Sequence, residues 1–310
     1  MADSLKIQFF HSKSGGPSVF MRRLRHYLVE HYNIKVTERK PHLYLSAVWR
    51  GDPPKGAKTI HRVDNCYFDK LKKNRRKLNE KIKVAIKKAD GVIYQSDLSL
   101  NLCTKILGVK GSRYSIIHNG FDQSLCESVV PFKCPYKYLF VASAFWRPIK
   151  RPKAIIRAFK KADIPDSSLI MIGKGIDHPP SDPRITCTGS IKPSEIYKYY
   201  KAATAIIHVS RLESCPNSVV EGLSFGKPVI CNNSGGTKEI VKEDGFIANI
   251  DPIDNFKSFS MKEPEAVDID RLSFALRSVV ERDWDIHRPD LSMKACAKQY
   301  FDFFNTILDT

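Results

Sequence analysis

The sequence predicts an α/β fold, parallel sheets with helices on their faces, repeated in two domains. Three observations carry this expectation. The chain has 310 residues, enough for two independent cores. Short apolar runs alternate with helix-period stripes along most of its length, the pattern of strand–helix–strand units. One stretch, TAIIHVSRLESCPNSVVEGLSFGKPVICNNSGGTKEIV over residues 204–241, spells such a unit out in full.

Leu5 to Phe10 reads as the first strand. His11 to Pro17 follows, and its Gly15–Gly16 pair lets the backbone approach a ligand or another segment closely. A tight turn without a ligand fits the same residues. Pro17 suits the first turn of a helix, whose apolar stripe is Phe20, Leu24 and Leu28. Ile34–Thr37, His42–Val48 and Ala57–Ile60 are further strands. The last runs into His61, Arg62, Val63, Asp64 and Asn65, which puts a His and an Asp just past a strand end. A lone His there fits either a ligand group or a satisfied structural residue. Lys70–Lys88 is a basic amphipathic helix with Leu71, Leu78, Ile82 and Ile86 on one side. Its cationic face is either solvated or a docking face for anionic lipid or glycan. Gly91–Tyr94 and Tyr114–Ile117 are strands around a helix at Asp97–Leu107, and His118–Asp122 is a turn. Residues 119–134 then read as a linker.

The second half begins with a strand at Tyr138–Ala142. The loop SAFWRPIKRP after it sets Arg147 and Lys150 beside a helix start. Two cations at a helix N-terminus suit a diphosphate; a solvated basic loop is the other reading. Strands at Leu169–Ile172 and Arg184–Thr188 lead into the glycine turns Gly173–Gly175 and Gly189–Ile191, and a helix from Lys192 ends near Ala203. Residues 251–264 read as irregular, and helices follow at Val267–Glu281 and Leu291–Leu308.

Within residues 204–241, Ala205, Ile206, Ile207 and Val209 form a buried strand. Ser210–Pro216 is a loop, and a helix runs from about Asn217 to Phe225, capped by Asn217 or Ser218 and stopped at Gly226. Pro228–Cys231 is the next strand, and Ser234–Thr237 opens another helix. Glu213 lies in the loop and Glu221 one turn into the helix, with seven residues between them. Ligands of open α/β sheets bind beyond the carboxyl ends of strands, where helix amides at Ser218 and Val219 would offer partial positive charge. A nucleotide sugar fits: ribose on one acid, diphosphate on the amides, sugar on the other acid. Two solvated acids fit the spacing equally well.

E-x7-E, followed by GKPVI and SGGTKEIV, resembles the C-terminal half of retaining GT-B glycosyltransferases of family 4. The resemblance implies two Rossmann-like domains facing across a cleft, with a final helix crossing back to the first. The expected divisions are 1–130 for the acceptor side, 131–285 for the donor side and 286–310 for the crossing helix. It implies that Glu221 contacts the ribose and that Glu213 lies beside the transferred sugar. The backbone of Cys215, Pro216, Asn217, Ser218 and Val219 would hold sugar hydroxyls and the distal phosphate. Gly15 and Gly16 match a Gly-rich loop near the donor phosphates and acceptor, and His61 matches a His near the donor sugar. Arg147 and Lys150 match an Arg and a Lys that neutralise the diphosphate, and Ile191 matches a residue that holds the base through its backbone. Gly245–Phe246 resembles the loop after the Gly-Gly helix. The commoner form has Gly-Arg after the strand and Lys-Gly at the helix, where this chain has Trp146-Arg147-Pro148 and Lys150-Arg151. Lys150 keeps its distance to Ala158–Phe159, whereas Arg147 is shifted. The implied activity moves a hexose or pentose from a UDP- or GDP-linked donor to a hydroxyl of a glycan, glycoprotein or lipid-linked acceptor. No cofactor and no metal is required where cations and amides neutralise the diphosphate.

Composition narrows the field. Net charge is +18, which favours anionic partners. A nucleic-acid-binding protein is the second reading, but no RNP motif, zinc spacing or helix-turn-helix pattern accompanies the charge. A GT-B protein that binds nucleotide sugar without transferring it is a third. An oxidoreductase would need G-x-G-x-x-G after the first strand, and none is there. The eight cysteines form no C-x-x-C and read as reduced, mostly core thiols. The acid pairs Asp268/Asp270 and Asp283/Asp285 resemble a metal-binding D-x-D but lack its strand context, and read as surface acids. Lys6 and His11 interrupt the opening apolar run, and no run approaches the roughly 20 residues that span a bilayer. A cytoplasmic location, with peripheral membrane contact through Lys70–Lys88, is the expectation.

Overall fold

The computed structural model describes residues 4–11, 15–47, 51–67, 73–250 and 267–310. It resolves into two compact units, Met1–Phe121 with Asp290–Thr310, and Asp122–Pro289. Each unit carries one six-stranded, wholly parallel sheet. The chain is thus a GT-B fold of two Rossmann-like units.

In the first unit the strands are β1 (Leu5–Phe10), β2 (Ile34–Val36), β3 (Leu43–Ala47), β4 (Lys58–Val63), β5 (Gly91–Tyr94) and β6 (Tyr114–Ile116). Their order in the sheet is β2-β1-β3-β4-β5-β6. β3 and β5 are buried along their whole length, because helices cover both faces. Helix α1 (Gly16–His31) buries Phe20, Met21, Leu24 and Leu28, the expected stripe plus a methionine. Gly15 precedes it at φ +92°, where a side chain would be strained, and its carbonyl accepts from the Val19 amide at 3.1 Å. Helix α2 (Arg75–Lys88) buries Ile82, Ala85 and Ile86 and exposes Arg76, Lys77, Lys81, Lys87 and Lys88. The start expected at Lys70, with Leu71, lies outside the described residues. Helix α3 (Asp97–Leu107) opens on Ser96, whose hydroxyl caps the Ser99 amide, and closes on Gly108 at φ +68°.

β4 is longer than its sequence pattern suggests. His61 and Arg62 are strand residues, paired with both β3 and β5, and not residues past the strand end. Both side chains are buried, at 1% and 0% exposure. An interior strand needs no apolar residue where a polar side chain is satisfied. The Arg62 guanidinium pairs with Asp64, donates to Asn119 Oδ1 at 2.8 Å and lies 4.5 Å from the Phe20 ring centre. Arg62 thus ties β4 to the Asn119 turn and to α1.

The second unit contains β7 (Tyr138–Ser143), β8 (Ser167–Ile172), β9 (Ile185–Gly189), β10 (Ala205–His208), β11 (Val229–Asn232) and β12 (Gly245–Ala248). They lie in the order β12-β11-β10-β7-β8-β9. Chain order therefore reverses between β7 and β10, the switch point at which ligands of such sheets bind. Residues 119–134, expected as linker, include a short helix α4 (Ser124–Ser128); Asp122 Oδ1 accepts from the Ser124 amide at its start, a turn bond that composition does not reveal. Gly245 and Phe246 open β12 and are not a loop. A Cβ at Gly245 would collide with the Val229 carbonyl, so only glycine lets β12 seat there.

Helices α5 (Pro152–Ala162), α6 (Pro193–Ala202), α7 (Asn217–Ser224), α8 (Thr237–Val241) and α9 (Ile269–Val280) complete this unit. Its core joins Phe140, Phe159, Leu169, Ile207, Ile230, Leu272 and Leu276. Residues 251–264, expected to be irregular, lie outside the described residues. The last helix, α10 (Met293–Leu308), belongs to the first unit, where Tyr300, Phe304 and Ile307 are fully buried with Phe20 and Leu24. The Asn119–Gly120 turn fits beneath it, since a Cβ on Gly120 would lie 2.6 Å from the Cys296 Cβ. None of the eight cysteines is in a disulfide. Among the described residues no helix is long and apolar enough to cross a membrane.

Candidate active site

Two loops meet at the switch point of the second unit. After β7, Ser143–Trp146 leads into a 3-10 turn, Pro148–Lys150, and Arg151 then takes left-handed backbone at φ +57°. That conformation turns Arg151 inward. It is 4% exposed and its Nη1 donates to the Val209 carbonyl at 3.2 Å, just past β10. The Arg211 amide returns a bond to the Ile149 carbonyl at 3.4 Å. Trp146 is buried, and its amide donates to the Lys174 carbonyl at 2.9 Å. A Cβ at Gly173 or Gly175 would collide with the Ala144 or Trp146 carbonyl, so the Gly173–Gly175 turn clamps this loop.

The second loop runs from Val209 to Pro216. Leu212 sits at φ +56°, a costly value for a residue with a side chain, of the kind that clusters at functional sites. Glu213 follows. Its backbone is held from behind by the Ser234–Thr237 turn: the Gly236 amide donates to the Glu213 carbonyl at 2.8 Å. Gly235, at φ +91°, would place a Cβ 3.1 Å from that same carbonyl. The glycine pair thus serves to seat Glu213.

Lys150 Nζ pairs with Glu213 Oε1 across the two loops. Glu213 Oε2 lies 3.2 Å from His208 Nε2, at the end of β10. His208 Nδ1 in turn lies 3.2 Å from Ser218 Oγ, in the first turn of α7. Burial pushes the Glu213 carboxyl up, but the Lys150 charge and His208 outweigh it and hold the group well below the usual carboxylate range. Burial lowers His208 more than Glu213 raises it, so the imidazole is neutral at pH 7. Nε2 faces the carboxylate at ion-pair distance without meeting hydrogen-bond geometry, and the direction of the Nδ1–Ser218 hydroxyl bond follows the ring's tautomer.

Helix α7 starts differently from its sequence signals. Its N-cap is Pro216, with no side-chain cap, because the Ser218 hydroxyl is engaged by His208 and Asn217 already has helical position. The Val219 and Val220 amides both donate to the Pro216 carbonyl, at 3.1 and 3.3 Å. The Val219 amide is therefore spent inside the helix, and the tip amides carry the positive end of the dipole. Glu221 lies on the second turn and is 8% exposed. Gly222 brings α7 against β10: a Cβ there would lie 2.7 Å from Ile206 Cγ1.

Of the other residues singled out in the sequence, Cys215 and Pro216 are buried under the loop and Asn217 and Ser218 are half-buried at the helix tip. Ile191 is half-buried after β9, where Gly189 takes φ +66°. Arg147 is exposed, with its guanidinium 5.9 Å from the centre of the exposed Phe145 ring. In the first unit, Gly15 and Gly16 form the start of α1, and His61 Nδ1 is 2.9 Å from Ser46 Oγ. His61 also lines a cavity of about 160 Å³ together with Val63, Asp64, Asn65, Cys66, Tyr67 and Ile82. Two residues escaped the sequence reading: His208, the one polar member of an otherwise apolar strand, and Arg151, the inward member of a basic pair. Among the described residues no group of three His, Cys, Asp or Glu side chains could hold a metal ion.

Residues 135–258 match the family model described as glycosyl transferases group 1. That segment contains β7 to β12 and every residue of the Lys150–Glu213–His208 cluster. The match falls within the second unit. No curated protein sequence matches the chain. Among solved structures, sucrose-phosphate synthase from Thermosynechococcus elongatus is similar at 15% identity, covering 98% of this chain and 99% of that one, with a TM-score of 0.72. Anabaena HepE in complex with UDP is similar at 14% identity, covering 97% and 100%, with a TM-score of 0.65. AviGT4, a glycosyltransferase involved in avilamycin A biosynthesis, is similar at 13% identity, covering 98% of each chain, with a TM-score of 0.58. At these identities the likeness is one of fold.

Proposed function

We propose that this chain is a retaining, metal-independent glycosyltransferase of family 4 that uses a UDP- or GDP-linked hexose or pentose. The observation that carries the reading is the meeting of Lys150 and Glu213 at the β7/β10 switch point, beside the tip of α7, inside the group 1 domain. The solved HepE complexes contain UDP and UDP-glucose, which supports a nucleotide-sugar donor here.

In this reading the bond between the anomeric carbon and the diphosphate oxygen breaks, and the diphosphate leaves with the electron pair. Lys150 and the α7 tip amides take up the charge that develops on it, the kind of preorganised stabilisation that lowers such barriers most. Arg147, exposed beside Phe145, adds a second cation. Glu221 accepts from the ribose hydroxyls, and the Cys215–Val219 backbone lines the sugar and distal phosphate. Ile191 holds the base. Glu213 orients the sugar and supports positive charge on it while the acceptor hydroxyl attacks from the leaving-group side and gives its proton to the departing diphosphate oxygen. Gly15, Gly16 and His61 are the first unit's candidates for the sugar and the acceptor, which is a hydroxyl of a glycan, glycoprotein or lipid-linked saccharide. The cationic face of α2 is the candidate surface for an anionic lipid or glycan, and cosedimentation with anionic vesicles over rising salt tests it.

The functional test is a thermal-shift screen of UDP, GDP and their sugars, followed by release of sugar from the best donor. Stabilisation by one nucleotide series, with donor hydrolysis or transfer, is the expected result. Salt-steep binding of DNA or RNA that nucleoside diphosphates leave unchanged would favour the nucleic-acid reading instead.

A further inference from the structure

We propose that His208 is a positioning residue for Glu213, holding one carboxylate oxygen fixed so that Lys150 is at liberty to serve the diphosphate. The inference rests on the functional reading above and deepens it.

His208 closes a strand whose other members, Ala205, Ile206 and Ile207, are apolar and buried. At 5% exposure it costs desolvation that a leucine or valine of similar reach would avoid. Packing therefore does not explain it, and its ring contacts do. Nδ1 faces the Ser218 hydroxyl and Nε2 faces Glu213 Oε2, each at 3.2 Å. A hydroxyl that donates to Nδ1 leaves the proton on Nε2, the tautomer that turns an N–H toward the carboxylate oxygen 3.2 Å away. Ser218 is itself fixed by α7, and α7 is fixed by the close approach of Gly222 to Ile206.

The two holds on Glu213 differ in kind. Lys150 is a charged group on a flexible stem with three donors. A bound diphosphate competes for it directly. His208 sits on a strand, is enclosed and carries no charge to be drawn away. As Lys150 turns to the phosphates, the carboxylate would otherwise be free to rotate; His208 keeps it in place. A chain runs from the helix tip through Ser218 and His208 to Glu213 and Lys150, linking the phosphate-facing and sugar-facing halves of the site.

The test compares the full-length parent with His208→Ala and His208→Gln, using UDP-glucose or the GDP-linked hexose that the parent prefers. The reading predicts that His208→Ala lowers kcat roughly 10–100-fold while nucleotide Kd stays within about threefold. His208→Gln, whose amide can donate to Glu213, recovers most of that loss. Long-range proton–nitrogen NMR of the parent at pH 7 shows His208 as the neutral Nε2–H tautomer. An unchanged kcat in His208→Ala overturns the proposal. So does equal loss in both variants together with weakened nucleotide binding, which would mark His208 as mere packing. A parent that neither binds nor turns over these donors defeats the functional reading, and the NMR tautomer then decides the proposal separately, with Nδ1–H refuting it.

Discussion

Lys150 and Glu213 stand 63 residues apart in sequence and meet at one point of the second unit. Their pairing is what makes each residue's substitution informative. On the proposed function Lys150 faces the leaving charge, so Lys150→Ala is expected to lower turnover about 100-fold or more, with a smaller change in nucleotide Kd. Replacing Glu221 by Ala is expected to weaken nucleotide binding about tenfold or more, because the ribose hydroxyls lose their acceptor; calorimetry with UDP and GDP separates the two. The same cluster sets an acid limit on stability. Glu213 is held below its ordinary 4.5, so its stabilisation is complete above that value and is lost as pH falls toward its folded pKa. His208 is held below 6.5, so the unfolded chain takes up its proton first and stability begins to decline below that pH. Melting curves across pH 3–8 should show the upper part of this decline flattened in His208→Gln and the lower part flattened in Glu213→Gln. At this scale the sequence was legible in placement: Lys150 and Glu213 follow strand ends, and Glu221 lies in the helix after the second of them. It was silent on His208, because an apolar-run pattern passes over one polar residue. It also could not say which of Lys150 and Arg151 turns inward, since a left-handed φ decides that.

Two glycines decide whether the elements of the site can seat. Gly235 lies against the Glu213 backbone with φ +91°, so Gly235→Ala is expected to cost about 1–3 kcal/mol and to disturb Glu213 directly. Gly222 sits between α7 and β10, where a methyl would meet Ile206 at 2.7 Å, so Gly222→Ala is expected to cost a similar amount, about 1–3 kcal/mol, by overpacking. Denaturant melts measure both. Donor turnover should suffer more than stability alone explains, since each change moves a loop or helix tip of the site. The strand and helix succession was readable here because parallel strands covered on both faces give apolar runs and their helices give stripes. Element ends were less so. β4 runs on through His61 and Arg62 because ladder bonds to two neighbouring strands, and the pairing of Arg62 with Asp64, satisfy polar groups that composition assigns to a loop. The cap of α7 falls on Pro216 because Ser218 has another partner.

Over the whole molecule, each unit has its own sheet and core, and the first is completed by the chain's last helix. Tyr300, Phe304 and Ile307 are fully buried in it, so Phe304→Ala should cost about 3–5 kcal/mol. Hydrogen exchange should then quicken through β1 to β6 while β7 to β12 keep their protection. The apolar face of α10 was evident from its periodicity, whereas its place against α1 and the Asn119–Gly120 turn depends on contacts far apart in sequence, such as Phe20 with Tyr300 and Gly120 with Cys296, that no local pattern encodes. The proposed function requires the second unit to bind a nucleoside diphosphate sugar at its β7/β10 switch point. Calorimetric titration of the parent and Glu221→Ala with the UDP- and GDP-linked sugars tests this most directly. Saturable binding to the parent, lost or sharply weakened in a Glu221→Ala variant with an unchanged melt, is the predicted result. No binding to the parent, or equal binding by both proteins, would contradict it.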